Sequence, residues 1–289
     1  GSIDFYVFEP DDPLVRAYQR IFPDLFRPAA EMPGSLREHV RVPLDQFTVQ
    51  TQMLLQYHMQ DPVVFYNKED QWSVPVQTSF GRSQALRPYY IVARLPGEEA
   101  EEFLVIQPFT PASRHNLVGW IAARSDGESY GEMVLFRFPS GRHVDGPSQV
   151  EARIDNDAVI SEQFTLWGQV GSEVMRGILL VIPIGDAILY AEPVFLKPET
   201  LDFPELRRII LADATQVVMH PTLDASVDAL VGALPPVAPA TDAAIEPRPG
   251  PDPVRGEALE ALRRTLEEAM RSLQRAVDQI GQLRGDTTP

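Results

Sequence analysis

The densest group of side chains that could perform chemistry lies in residues 57–72, where His58 stands among acidic and aromatic residues. A histidine next to a carboxylate is the common pair for general acid–base catalysis, so His58 with Asp61 or Glu69 is the candidate catalytic group. The same residue types also cap helices and meet solvent, while the aromatic residues anchor a helix–loop segment on a core. We favour this structural interpretation and keep the catalytic one as the alternative.

A second polar group follows the apolar segment 108–111. Arg114 has the planar fork that binds a carboxylate or phosphate through two hydrogen bonds. Asn116 and the indole of Trp72 are the other candidate ligand-binding side chains. In a chain with 41 acidic residues, such an arginine more often pairs with an internal carboxylate, which is the competing interpretation.

No metal site or cofactor is predicted. The chain has no cysteine, and its five histidines are far apart in the sequence. It contains no H-E-x-x-H pair, P-loop or G-x-G-x-x-G loop, the patterns that hold zinc, nucleotide phosphates and dinucleotides. With no catalytic pattern beyond the group around His58, an enzyme is the less favoured class of function.

The charge balance excludes two classes of partner. Asp and Glu number 41 against 25 Lys and Arg, a formal net charge of -16. A nucleic-acid-binding protein needs a basic surface, and anionic lipid likewise attracts basic segments. There are 32 acids and 18 bases before Pro235, and nine acids and seven bases from Pro235 onward, so the acidity belongs to the predicted domain.

Composition divides the chain into five segments. Gly1 and Ser2 are interpreted as a cloning scar, and residues 3–234 hold every Phe, Tyr and Trp and form one predicted domain. Residues 235–253 hold seven prolines and are predicted to be a semi-rigid, polyproline-like linker or a disordered segment. An amphipathic helix is predicted over 254–284, followed by a disordered tail over 285–289.

Residues 254–284 repeat apolar side chains at alternating spacings of three and four, the a/d pattern of a coiled coil. These positions are Leu259, Leu262, Leu266, Ala269, Leu273, Ala276, Ile280 and Leu283. A lone helix with such a stripe needs a partner. The sequence leaves open whether that partner is a second copy of the chain, the chain's own domain or a neighbouring protein.

Residues 3–234 mix helical and strand patterns. Spacing and capping residues predict helices near 13–21, 35–38, 43–59, 147–155, 158–169 and 223–231, and Asp61-Pro62 predicts the start of another short helix. Four pairs of strand segments flank short turns and predict hairpins: 89–95 with 102–109, 120–124 with 133–138, 178–184 with 187–195, and 206–212 with 216–220. Hairpins without regular strand–helix alternation predict an α+β fold, an antiparallel hairpin-rich sheet with flanking helices. No internal repeat of fixed period is visible.

The chain resembles a known family through short motifs that occur in order over residues 3–232. The first are Glu31-Met32-Pro33 with Leu36, Arg41-Val42-Pro43 with Asp45, Phe47 and Gln50, and Tyr57-His58-Met59 through Asp61-Pro62-Val63-Val64-Phe65-Tyr66-Asn67 to Glu69-Asp70 and Trp72. Next come Pro88-Tyr89-Tyr90, Pro96-Gly97, Glu102-Phe103, Pro108-Phe109-Thr110-Pro111, Arg114 and Asn116-Leu117. The last are Asp126-Gly127 with Tyr130-Gly131, Gly146-Pro147 with Gln149, Thr165-Leu166-Trp167, Gly171-Ser172, Pro183-Ile184, Leu189-Tyr190 and Glu192-Pro193.

The family that the chain resembles is an uncharacterised protein family (UPF) of large bacterial multi-pass membrane proteins. The resemblance implies that about seven predicted membrane spans precede this region and that the region is a soluble C-terminal domain outside the cytoplasm. The family has no established activity, cofactor or catalytic residues, so the resemblance assigns none of these to the chain.

From these observations we expect a binding or scaffolding domain of an integral cell-membrane protein, on the extracytoplasmic side. Its expected partners are the parent protein's own membrane domain and a protein or cell-envelope component, and segment 254–284 could make it a homo-oligomer. The alternative is a hydrolase or transferase that acts on envelope polymers or lipids, with its site near His58, Asp61 and Glu69.

Overall fold

A computed structural model describes residues 3–169, 172–185, 187–198 and 203–232. They fall into two compact units that divide between Arg41 and Val42, within the segment 3–234 that the sequence predicts as one domain. The predicted linker over 235–253, the predicted helix over 254–284, the tail and the scar lie outside the described residues.

The first unit is small. Its two short strands pair in parallel, with a helix between them in the chain. Asp12 caps that helix, because its carboxylate accepts hydrogen bonds from two amides of the first turn. The elements are β1 (Phe5–Val7), α1 (Pro13–Ile21), β2 (Phe26–Pro28), a 3-10 turn (Ala29–Glu31) and α2 (Gly34–Arg37).

The second unit consists of two consecutive halves. The first half comprises α3 (Leu44–Tyr57), α4 (Pro62–Asn67), β3 (Trp72–Ser73), β4 (Val76–Ser79), β5 (Arg82–Ala85), β6 (Tyr89–Arg94), β7 (Glu101–Pro111), β8 (Gly119–Arg124), a 3-10 turn (Gly127–Ser129) and β9 (Met133–Arg137). The second half comprises α5 (Pro147–Asn156), α6 (Ala158–Gln169), β10 (Ser172–Arg176), β11 (Leu180–Ile184), β12 (Ala187–Pro198), β13 (Glu205–Ala212), β14 (Val217–His220) and α7 (Leu223–Gly232).

Each half builds one five-stranded antiparallel sheet, and the two sheets have the same connectivity. In each sheet a long strand, β7 or β12, pairs with two short strands along one edge. Its other edge continues into two more strands, β8 and β9 or β13 and β14. Because a pair of helices precedes each sheet, the chain repeats one topology although its sequence shows no repeat of fixed period.

The repeat extends to a polar residue followed by proline in each long strand. Gln107-Pro108 lies between the segment of β7 that pairs with β6 and the segment that pairs with β3. Glu192-Pro193 lies between the segments of β12 that pair with β11 and β10. Proline has no N–H to donate, so it fits the point where a strand changes partner.

One hairpin breaks the repeat. Strands β4 and β5 are inserted between β3 and β6 of the first half, yet β4 packs against α5 and β10 of the second half. The amide of Thr78 donates to the Glu151 carboxylate of α5 at 2.6 Å, and the Gln77 side chain accepts from the amide of Leu179 at 2.9 Å. Among the described residues, no corresponding hairpin packs over α3.

Helices cover the sheets and form the cores. Helix α3 packs Phe47 against Trp72 and Phe109 of the first sheet. Helices α5 and α6 cover one face of the second sheet, and α7 covers the other. The Tyr89 hydroxyl joins the two sheets, because it donates to the carbonyl of Val181 at 2.6 Å and accepts from its amide at 2.9 Å.

The predicted α+β fold class is confirmed, and the four predicted hairpins are present as β6–β7, β8–β9, β11–β12 and β13–β14. The short strands β2, β3 and β10 and the hairpin β4–β5 carry no pattern that distinguishes them from loops. Strands of two to five residues are too short to show an alternation of apolar and polar side chains.

Candidate functional site

The outer face of α3 is exposed and carries no charge beyond its first turn. Its inner face buries Phe47 and Thr51, whereas Val49, Met53 and Tyr57 form an exposed stripe at four-residue spacing on the opposite side. The exposed glutamines of this helix are Gln46, Gln50, Gln52 and Gln56. The one charged residue in α3 is Asp45, in its first turn, although 23% of the chain is charged.

The stripe continues onto α4. The ring of Tyr57 contacts that of Phe65, with centroids 5.6 Å apart, and α4 contains no charged residue. This helix exposes three more apolar or aromatic side chains. We name the six exposed residues of the two helices the α3–α4 surface: Val49, Met53, Tyr57, Val63, Phe65 and Tyr66.

The His58 ring is fixed by backbone on both sides. Its side chain is 3% exposed, with Nδ1 2.7 Å from the carbonyl oxygen of Leu54 and Nε2 2.8 Å from that of Asp70. Carbonyl oxygens only accept, so a ring nitrogen can make either contact only by donating its N–H. The ring also stacks on Trp72, with centroids 3.8 Å apart. His58 thus ties the end of α3 to the chain that enters β3.

The two candidate acids are engaged elsewhere. The Asp61 carboxylate accepts hydrogen bonds from two amides of α4, at 2.7 and 3.2 Å, and so caps that helix. The Glu69 carboxylate accepts from the Asn67 side chain at 2.9 Å. Among the described residues, no hydrogen bond or ion pair connects His58 to either acid. His58, Asp61 and Glu69 therefore lie in one segment of the chain but form no acid–base pair.

The three candidate ligand-binding residues differ in how deeply they are buried. Trp72 is buried, with the Arg137 guanidinium 5.2 Å from its ring centroid. Asn116 donates to the carbonyl of Leu117 at 3.3 Å. Arg114 is exposed in the turn between β7 and β8, and in the described part of the chain its guanidinium has no hydrogen-bond or ion-pair partner.

The sequence interpretation missed a buried ion cluster in the second sheet. Glu192 is 0% exposed and accepts two hydrogen bonds from Arg176, at 2.6 and 2.8 Å, while Arg176 also contacts Asp155 at 2.6 Å. Burial raises the pKa of Glu192 to about 7 in spite of the arginine, and burial raises the pKa of nearby Glu151. The sequence carried one signal for this cluster: the acidic residue Glu192 lies within a long apolar strand.

The first sheet has a more open cluster. Arg124 of β8 donates two hydrogen bonds to Glu102 of β7 and contacts Glu98 at 3.2 Å and Glu132 at 3.4 Å. These carboxylates raise the pKa of Arg124. Since Glu98 and Glu132 are exposed, the cluster links the strands at the surface.

Two other kinds of feature are absent from the described ranges. No cluster of three or more His, Asp or Glu side chains there could hold a metal ion. None of the helices there has the length and apolarity that a membrane crossing requires.

A family model described as "Uncharacterised protein family (UPF0182)" matches residues 1–167. A UPF0182 protein of Desulforamulus reducens is 44% identical over 281 residues, which cover 94% of this chain and 30% of that protein. One from Pelotomaculum thermopropionicum is 49% identical over 232 residues, or 80% of this chain and 25% of that protein. One from Trichodesmium erythraeum is 49% identical over 224 residues, or 78% and 22%. The chain thus spans less than a third of the length of these relatives, and no solved structure matches it.

Proposed function

This chain belongs to the uncharacterised protein family UPF0182, and from that premise we propose that it is a binding or scaffolding domain of a longer membrane protein. Its contact surface is the α3–α4 surface. The relatives are more than three times as long as this chain, so the domain acts within a larger protein.

The low charge of the outer face of α3, on which Asp45 in the first turn is the one charged residue, carries the proposal. The centres of protein interfaces are depleted of charged residues and enriched in Tyr, Phe and Met, and the α3–α4 surface has that composition. The exposed stripe does not serve the core, because Phe47 and Thr51 fill the inner face of the same helix. A helix that merely faced water would carry charge on its outer side.

The hydrogen-bond geometry favours this function over the hydrolase or transferase alternative. A general base needs a ring nitrogen that can reach a substrate proton. Both nitrogens of His58 are bonded to carbonyl oxygens instead, and Asp61 is occupied as a helix cap.

We place the domain outside the cytoplasm. This part of the proposal rests on the family resemblance, which implies an odd number of membrane spans before the domain. A compartment-sensitive reporter fused on the C-terminal side of this domain in the full-length parent tests it. We expect an extracytoplasmic signal, and a cytoplasmic signal would contradict both the location and an envelope partner.

The contact surface is tested by photo-crosslinking in the full-length protein in its own membrane. A photoreactive amino acid replaces Met53 in one variant and Leu166 of α6 in the control, residues that are 51% and 54% exposed. We expect crosslinks to polypeptide from position 53, within the same protein or to another, and few from position 166. Equal, low yields at the two positions would contradict the proposal.

A further inference from the structure

We propose that the α3–α4 surface binds the chain's own C-terminal segment, residues 254–284. The inference rests on the proposed function, because it names the occupant of the same surface. It joins two apolar stripes: one that is exposed on described helices and one that the heptad pattern of the segment predicts.

The connecting chain is long enough. The described structure ends at Gly232, the last residue of α7, and residues 235–253 follow. At about 3.1 Å per residue, a polyproline-like linker of that length spans roughly 59 Å. By comparison, a domain of about 190 residues has a radius of gyration near 16 Å. The segment can therefore reach any face of the unit that contains α3.

The chemistry of the two partners is complementary. Segment 254–284 contains six arginines and five acids, whereas the rest of the chain is strongly acidic. Residues 43–71, which contain α3 and α4, hold four acids and one lysine. A segment with a slight positive charge thus meets a slightly negative stretch of the chain that exposes apolar side chains, a combination that favours docking of an amphipathic helix.

The repeated topology of the two halves supports the proposal that another segment covers the α3–α4 surface. In the second half, strand β4 of the inserted hairpin packs against α5, the counterpart of α3. The first half has no described element in that role, and the outer face of its helix pair carries no charge beyond the first turn of α3. Helix α1 also exposes an apolar face, but with nine residues it is about 13 Å long and offers a shorter contact than α3.

The absence of native cysteine makes a direct test simple. Met53→Cys and, separately, Leu166→Cys are introduced into the 289-residue chain, and the rate of maleimide alkylation is measured for each. We expect Cys at 53 to react about tenfold more slowly than Cys at 166, which corresponds to a surface covered about 90% of the time. Adding Leu262→Glu and Leu266→Glu to break the apolar stripe should bring the rate at 53 close to the rate at 166.

Three results would overturn the proposal. Equal rates at 53 and 166 in the chain with the unaltered segment would mean that the surface is not covered. Slow alkylation at 53 that persists with Leu262→Glu and Leu266→Glu would mean that another segment covers it. Protection that disappears on dilution would assign the occupant to a second copy. In any of these cases, crosslinking from position 53 in the full-length protein still decides the proposed function separately.

Discussion

Each half of the larger unit buries a polar residue at the same position of its long strand, but one residue is neutral and the other is acidic. Gln107 and Glu192 each precede the proline at which the strand changes partner, and both side chains are buried. Gln107 is neutral and donates to the carbonyls of Leu86 and Pro108, each at 3.1 Å. Glu192 is an acid and depends on Arg176.

The two halves also differ in the surroundings of the helix that precedes each sheet. The second half has an ionisable pair in its interior and a helix, α5, against which strand β4 of the inserted hairpin packs. The first half has a neutral residue, Gln107, at the matched interior position, and the outer face of α3 carries no charge beyond its first turn. Under the proposed function, the second half serves internal cohesion and the first serves contact.

Removal of the arginine that pairs with Glu192 should give the largest effect. Arg176→Met leaves the Glu192 carboxyl buried without the donor of its two hydrogen bonds, and we expect a loss of about 3–5 kcal/mol in the free energy of unfolding. Gln107→Met at the matched position removes two neutral hydrogen bonds and should cost about 1–2 kcal/mol. Urea denaturation of both variants measures the difference, and equal losses would remove the contrast between the two interiors.

The two faces of α3 should differ nearly as much. Phe47→Ala empties a fully buried site and should lower the free energy of unfolding by about 3–5 kcal/mol. Met53→Ala on the outer face should change it by less than about 0.5 kcal/mol. If the exposed stripe served folding instead of contact, the Met53 variant would lose stability on the scale of the Phe47 variant in the same urea titration.

The charged interior should also make stability depend on pH. Burial raises the pKa of Glu192 from 4.5 to about 7, so between these values the folded chain holds a proton that the unfolded chain has released. The stabilisation that this bound proton gives to the folded state is present at low pH and is lost as the pH rises through 7. Relative to Glu192→Gln, the wild type should gain on the order of 2 kcal/mol between pH 7.5 and pH 5. Parallel stability curves for the two proteins across this range would contradict the assignment.

The smallest effect should be shared by both halves. Asp61 and Asp157 each accept hydrogen bonds from two amides at the start of the second helix of their half, α4 and α6. Asp61→Ala and Asp157→Ala should each cost about 1 kcal/mol. A much larger effect of Asp61→Ala, above all on a measured activity, would favour the catalytic interpretation of residues 57–72.

Local signals in the sequence were sufficient for much of the fold. Asp12 and Asp61 before proline mark helix starts that the structure contains, and short turns such as Asp126-Gly127 mark hairpins that it also contains. These features depend on neighbouring residues only. The repeated topology was not visible, because the inserted hairpin β4–β5 makes the two halves unequal in length.

The site was harder to predict. His58, Asp61 and Glu69 look like an acid–base group because their residue types fit one, but hydrogen-bond partners are decided by which backbone carbonyls lie within reach. The ring of His58 meets the carbonyl of Asp70, twelve residues further along the chain. The uncharged stripe of α3 was visible in the sequence as apolar spacing, yet only the structure shows which of its two apolar faces is buried.

The central claim, that the α3–α4 surface is covered in the intact chain, can be tested without any substitution. In methyl-labelled methionine spectra of the 289-residue chain, a soluble paramagnetic probe broadens each methyl signal according to its access to solvent. Met53 on α3 is 51% exposed and Met133 on β9 is 37% exposed. We predict that the probe broadens the Met133 methyl more strongly than the Met53 methyl. Stronger broadening of Met53, in line with its exposure, would contradict the account.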